Sequence, residues 1–123
     1  MPLVFLIHCD SCDLRLPESI GGYMYVLDKA GNRVPCPHPL EWDTIQRVTG
    51  SDWASAAAKG LLGFVSLCLC FTCASHFELD VERDVKRCPA CSSLDVRTAN
   101  ASKGAVCPRC QKGILTANTT GVA

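Results

Sequence analysis

The 123-residue sequence predicts a small α+β fold in which short β-hairpins are held by side-chain staples, with two short helices in the middle. Three observations predict it. The length suits a single modest domain or two very small ones. The aromatic residues all lie before residue 78, so the last third has almost nothing large to bury. Ten cysteines supply the staple that such a segment needs.

The elements follow from local chemistry. Residues 3–8 read as a short strand leading into Cys9-Asp-Ser-Cys12. "GYMYVLD" and "RVPC" are strand-like, and "KAGN" between them has turn chemistry, so a hairpin is expected. In "CPHPLEWDTIQRVTG", Pro39 suits the first turn of a helix, Trp42, Ile45 and Val48 fall at helical spacing, and Gly50 provides a stop. Ser51 reads as the N-cap of a second helix, "DWASAAAK", closed by Gly60. The apolar and aromatic stripe of both helices is expected to be core. The run "LLGFVSLCLCF" is far short of the roughly 20 residues of a membrane helix and reads as a buried strand. The acidic "ELDVERD" reads as a solvated face, and "TANTTGVA" as a disordered tail. The expected regions are an N-terminal segment 1–69 with a knuckle, hairpin and helix pair, a ribbon segment 70–115, and the tail 116–123.

The nature of the staple depends on compartment. "MPLVFLIHCDSC" has no basic start and too short an apolar stretch for an export signal, so a cytoplasmic protein with reduced thiols is expected. The glycosylation-type triplets at Asn100 and Asn118 then carry no weight. The cysteines fall into the pairs Cys9/Cys12, Cys70/Cys73, Cys88/Cys91 and Cys107/Cys110, with Cys36 and Cys68 left over. A Cys-x-x-Cys turn presents two sulfurs to one ion, and two turns complete a tetrahedron, so four pairs predict two zinc ions. Spacing leaves the pairing open: Cys88/Cys91 lies fourteen residues after one pair and fifteen before the next.

"CFTCASHFELD" followed by "RCPACSSLDV" resembles the small FmdB-type zinc-ribbon proteins over residues 70 to about 97. Phe77 occupies the family's phenylalanine position and Val96 lies in its short strand, whereas Ala74 and Ser92 stand where a glycine commonly follows each pair. The resemblance implies a zinc ribbon, a regulatory or binding role, and no reaction. A ribbon built on Cys70, Cys73, Cys88 and Cys91 leaves Cys9/Cys12 to share a second zinc with Cys107/Cys110. Alternatively Cys9/Cys12 closes with Cys36 and His38, and Cys107/Cys110 finds Cys68 or His76. A third ion stays open on the total of ten cysteines and three histidines.

Charge is zero overall but uneven: residues 1–85 carry −5, and residues 86–123 carry +5. Arg87, Arg97, Arg109 and Lys112 are therefore candidate phosphate contacts for a nucleic acid, or basic neighbours that offset thiolate charge. Aromatic residues for stacking bases are missing from that segment, which argues against single-strand recognition. A thioredoxin-like motif at Cys9–Cys12 would need a long helix that Pro17 forbids. Rubredoxin-like iron is the stronger rival. The residues after the pairs, Asp13, Ala74, Ser92 and Gln111, are not glycine, which weakens the case for backbone amides closing on the sulfurs. No open metal position beside a base, phosphate loop or His-Glu-x-x-His motif is present. The expectation is a non-enzymatic zinc adapter or regulator acting through protein contacts, with a nucleic-acid-binding ribbon and an iron electron carrier as alternatives.

Overall fold

The computed structural model describes residues 3–122, and the chain forms two compact units. One is Gly22–Val65; the other takes the chain up to Gly21 and resumes at Ser66. The expected boundaries near 69/70 and 115/116 are therefore not the observed ones. The first strand leaves the helix-bearing segment and joins the cysteine-rich one, because its hydrogen-bonding partner is the end of the chain.

The chain opens with strand β1 (Leu3–Cys9), and in the 22–65 unit the hairpin is β2 (Gly22–Leu27) and β3 (Arg33–Cys36), antiparallel with Met24 opposite Cys36 and Leu27 opposite Arg33. The Asp28 carboxylate accepts from the Ala30 and Asn32 amides, both at 2.9 Å, and Gly31 turns the chain at φ 82°. Helix α1 (Glu41–Thr49) ends where Gly50 adopts φ 69° and returns its N–H to the Gln46 carbonyl at 2.8 Å. Helix α2 (Trp53–Ala58) is capped by Asp52, not Ser51: the aspartate accepts from the Ser55 amide at 2.8 Å. That shifts the expected start by one residue.

The core of this unit is Val26, Cys36, Ile45 and Ala56, with Tyr25 also buried. Gly63 is required beside it, since a Cβ there would enter the Tyr25 ring. Ile45 fills the core as the helical spacing predicts. The tryptophans do not: Trp42 is 64% and Trp53 43% exposed, their rings packed on each other with centroids 5.9 Å apart. The helices are too short, at nine and six residues, to bury every apolar position of their stripes.

In the other unit, β1 (Leu3–Cys9) pairs antiparallel with β7 (Leu115–Val122) from Cys9 opposite Leu115 to Leu3 opposite Val122. The expected disordered tail is thus a strand. Its Thr116, Thr119, Thr120 and Val122 are β-branched and suit a ladder once a partner is supplied. Strand β4 (Leu62–Cys70), which begins in the 22–65 unit, pairs here with β5 (His76–Leu79) and β6 (Val96–Thr98), with Cys68 opposite both Phe77 and Thr98. Its buried Val65, Leu67, Cys68, Leu69 and Cys70 make it the buried strand that the apolar run predicts. The acidic run after β5 forms a turn: Asp80, 2% exposed, accepts from the Glu82 and Arg83 amides at 3.0 and 3.2 Å. One turn of helix, α3 (Ala99–Ser102), follows β6, with Thr98 accepting from the Ala101 amide at 3.2 Å.

Two apolar clusters back the cysteine turns. Ile7, Leu14, Leu16, Leu69, Ala99 and Leu115 surround Cys9 and Cys107, while Val96 with half-buried Phe77 and Leu79 packs on Cys68, Cys70 and Cys88.

Candidate metal centres

Each Cys-x-x-Cys pair folds into the same turn. The sulfur of the first cysteine accepts a backbone amide two residues on: Ser11 to Cys9 at 3.3 Å, and Thr72 to Cys70, Ala90 to Cys88 and Arg109 to Cys107, all at 3.4 Å. In three of the turns, the carbonyl of the first cysteine accepts from the amide four residues on: Ala74 at 3.0 Å, Ser92 at 2.9 Å and Gln111 at 3.0 Å. These three residues adopt φ of 66°, 65° and 62°. The left-handed conformation that favours glycine is therefore adopted without it, and the amides reach the sulfurs all the same. The sequence argument against iron based on missing glycines loses its force.

The turns come together in pairs. Cys9, Cys12, Cys107 and Cys110 form one group and Cys70, Cys73, Cys88 and Cys91 another, the sulfurs of each lying within 4.8 Å of one another. The closest approaches are 3.7 Å for Cys9–Cys110 and Cys12–Cys107, and 3.6 Å for Cys70–Cys91 and Cys73–Cys88. A tetrahedral ion with metal–sulfur bonds of about 2.3 Å has sulfurs about 3.8 Å apart, so both groups match the geometry of four thiolates around one ion. All ten cysteines are free thiols.

Outer contacts lock each pair of turns. Asp10 accepts from the Ile114 amide at 2.9 Å and from the Ser11 hydroxyl at 2.9 Å, and Arg109 reaches Asp13 at 2.9 Å, so the Cys9 and Cys107 turns are tied twice. The Ile114 amide and then the Ser11 hydroxyl hold the Asp10 carboxyl below its ordinary range. In the other group the Thr72 and Ser93 hydroxyls meet at 2.7 Å.

The electrostatics of the two groups are parallel. The Ser75 hydroxyl and amide, then the neighbouring sulfurs, bring Cys73 down to about 6, and the Gly113 and Lys112 amides bring Cys110 down to about 6. Cys12 keeps a lowering hydrogen bond from Leu14, yet burial and the other three sulfurs push it up to about 12; Cys91, with Ser93 in the same part, also rises to about 12. One thiolate forms readily in each group and another resists, because four negative charges at this separation repel strongly unless a cation sits among them.

Metal uptake therefore displaces protons, and apparent affinity should rise with pH. Lowered thiols such as Cys73 are charged above about 6, and Cys91 releases its proton to solvent only when a metal displaces it. Chelator competition at successive pH values from mildly acidic to mildly alkaline checks this; a flat affinity would exclude four-thiolate coordination.

Of the groupings that the sequence left open, the one formed joins Cys9/Cys12 with Cys107/Cys110 and Cys70/Cys73 with Cys88/Cys91. Cys36 and His38 do not take part in either group. Cys36 is a buried core residue of the 22–65 unit, its sulfur 3.8 Å from the Val34 carbonyl and its thiol pushed up by burial. His38 Nδ1 lies 2.8 Å from the Glu41 carboxylate. Cys68 is buried in β4, and His8 Nε2 is engaged by Thr116 and Asn118 at 3.1 and 3.0 Å. Among the described residues two groups suited to an ion are present, and no third.

Of the basic candidates, Arg87 and Lys112 are exposed, Arg109 is paired with Asp13, and Arg97 lies 3.4 Å from Asp95 with its guanidinium 3.9 Å over the Phe71 ring. Sequence reasoning missed Asp10, Ser75, Thr72 and Ser93 as supports, and Gly113. The Cys-x-x-Cys-x-x-Gly spacing from Cys107 to Gly113 was the available signal for the last. No protein-family model, curated protein or solved structure matches the chain.

Proposed function

We propose that the protein is a zinc-binding, non-enzymatic adapter that acts through protein–protein contacts. Each cysteine group supplies four sulfurs, which fill a tetrahedron and leave no ligand position for a substrate, as in structural zinc sites. Zinc is our reading of the ion and a zinc ribbon our reading of residues 70–98; tetrahedral sulfur also suits iron. A preparation with about two zinc ions per chain and no visible thiolate-to-iron absorption supports zinc. A red, iron-loaded protein made under iron limitation favours the electron-carrier alternative. Among the described residues no helix is long and apolar enough to cross a membrane. A cytoplasmic location is our reading of the clustered cysteines, which suit reduced, metal-binding thiols.

The observation that carries the adapter reading is the tryptophan pair. Trp42 and Trp53 pack against each other at a tilt of 46° while exposed, with Leu40 also 58% exposed on the same unit. Tryptophans are the residues most enriched at energetic centres of protein interfaces, and the acids beside them, Asp43 and Asp52, favour a basic partner. Replacing both with alanine should abolish crosslinking to the partner in native cells while leaving metal content unchanged. An identical set of crosslinked proteins from the double variant would refute the reading. These are the two tryptophans of the chain, so partner binding should also shift their fluorescence.

A further inference from the structure

Within the cysteine-rich unit a cleft of about 460 Å³ is lined by Phe71, Asp95, Arg97, Val106, Pro108 and Gln111, among others. Phe71 directly follows Cys70 and Pro108 directly follows Cys107, so one wall is anchored to each cysteine group. Sequence position separates Phe71 from the basic segment, yet β6 pairs with β4 so that Arg97 stands opposite Leu69. The Phe71 amide donates to the Asp95 carbonyl at 2.8 Å, which holds the ring beside Arg97. The aromatic that the basic segment lacks in sequence is supplied by the fold.

The Arg97 guanidinium carbon lies over this ring, 3.9 Å from its centroid, and its Nε is 3.4 Å from the Asp95 carboxylate. Its side chain is 43% exposed. An arginine plane backed by an aromatic ring offers a stacking surface to any base, and such stacking is tolerant of sequence. Val106, 51% exposed, gives the cleft an apolar side of the kind a base face covers, backed by buried Pro108. Gln111 donates its amide to the Pro108 carbonyl at 3.0 Å, which turns its oxygen toward acceptor duty, and Asp95 is a second acceptor for base amino groups. The Asp95 carboxylate disfavours a phosphate inside the cleft. Exposed Lys112 directly follows the lining residue Gln111, and exposed Lys103, its ammonium 5.4 Å from the Phe5 ring centroid, directly precedes Gly104; both suit phosphates beside the cleft.

We propose that this cleft binds single-stranded nucleic acid, with a base stacked on the Arg97–Phe71 pair and the backbone held by Lys103 and Lys112. This goes beyond the adapter reading and does not depend on it, since the tryptophan pair lies on the other unit. The test measures anisotropy of fluorescein-labelled oligo-uridylate and oligo-thymidylate 12-mers, with a duplex of equal length as comparison, against the metal-loaded full chain at low salt. Single strands should bind better than duplex. Arg97→Ala and Phe71→Leu should each weaken single-strand binding roughly tenfold. Lys103→Glu with Lys112→Glu should weaken it and flatten the salt dependence. Metal content of each variant is measured alongside, and Arg97→Ala, which truncates a side chain 43% exposed and keeps the backbone pairing with Leu69, serves where Phe71→Leu disturbs the neighbouring group. Absence of binding at low salt, preference for duplex, or unchanged binding by metal-replete Arg97→Ala would overturn the proposal.

Discussion

Serine at Cys70 and serine at Cys88 should each remove the same single ion and expose the same amides, those of β4, β5 and β6. Serine at Cys9 or Cys107 should remove the other ion and expose β1 and β7. The reason is the grouping of sulfurs: Cys73–Cys88 and Cys12–Cys107 approach to 3.6 and 3.7 Å, and the two sets share no member. The effect should be large. A structural zinc contributes roughly 10–16 kcal/mol of apparent binding energy at neutral pH, against a total domain stability of roughly 5–15 kcal/mol. The loop from Asp80 to Cys88 should suffer most in the first pair of variants, because its exposed Val81 and Val85 bury little of their own. Metal counts by mass spectrometry of the native protein, with hydrogen exchange read residue by residue, decide it. Equivalent losses from Cys88→Ser and Cys107→Ser would mean that the turns pair otherwise.

Local signals in the sequence were sufficient wherever a structure is closed by nearby residues. The Asp28–Asn32 turn, the Gly50 helix stop and the apolar run of β4 each have their cause within a few positions. The cysteine turns were legible for the same reason, since each is set by an amide two residues ahead and three of the four also by one four residues ahead. Which turns meet was a different kind of question. Spacing left it open, and the answer lies in long-range pairing: β1 with β7 brings Cys9 within reach of Cys110, a separation of 101 residues. That pairing was invisible because the last strand is polar and reads alone as a tail. The same blindness hid the split of the chain, in which Gly22–Val65 is an insertion between the parts of the cysteine-rich unit.

Burial was misjudged where a periodic pattern exceeds the area available to cover it. Trp42 and Trp53 keep helical spacing and still face solvent, whereas Cys36, which looked like a ligand, fills the core they were expected to fill. A buried cysteine behaves as a small apolar side chain, and nothing in the local motif "CPHP" distinguishes that role from ligation. The glycine argument failed for a related reason. The cost of a positive φ at Ala74, Ser92 and Gln111, roughly 1–2 kcal/mol each, is small beside what closing a metal site contributes.

One glycine, by contrast, should prove indispensable, and for space, not for φ. Gly113 is buried between the Cys9 and Cys107 turns, where it donates its amide to Cys110 Sγ at 3.3 Å and accepts from the Cys107 amide at 2.8 Å. A Cβ at this position would fall on the Cys9 sulfur, 2.7 Å from the Asp10 carboxylate and 2.8 Å from the Ser11 side chain. These neighbours cannot retreat without moving a ligand sulfur or breaking the Asp10 link to the Ile114 amide. Gly113→Ala should therefore weaken metal binding in this group by at least the roughly 10–100-fold typical of lost outer-sphere support, so that one ion departs under mild chelation while the other stays. Gly121→Ala is the matched control: it lies in β7 with nothing within 4 Å of the added carbon, and it should keep both ions. Chelator titration followed by native mass spectrometry measures the outcome. Retention of two ions by Gly113→Ala at the chelator strength the wild type withstands would show that the Cys9 turn can yield, and that the tight packing around its sulfur is not what holds the ion.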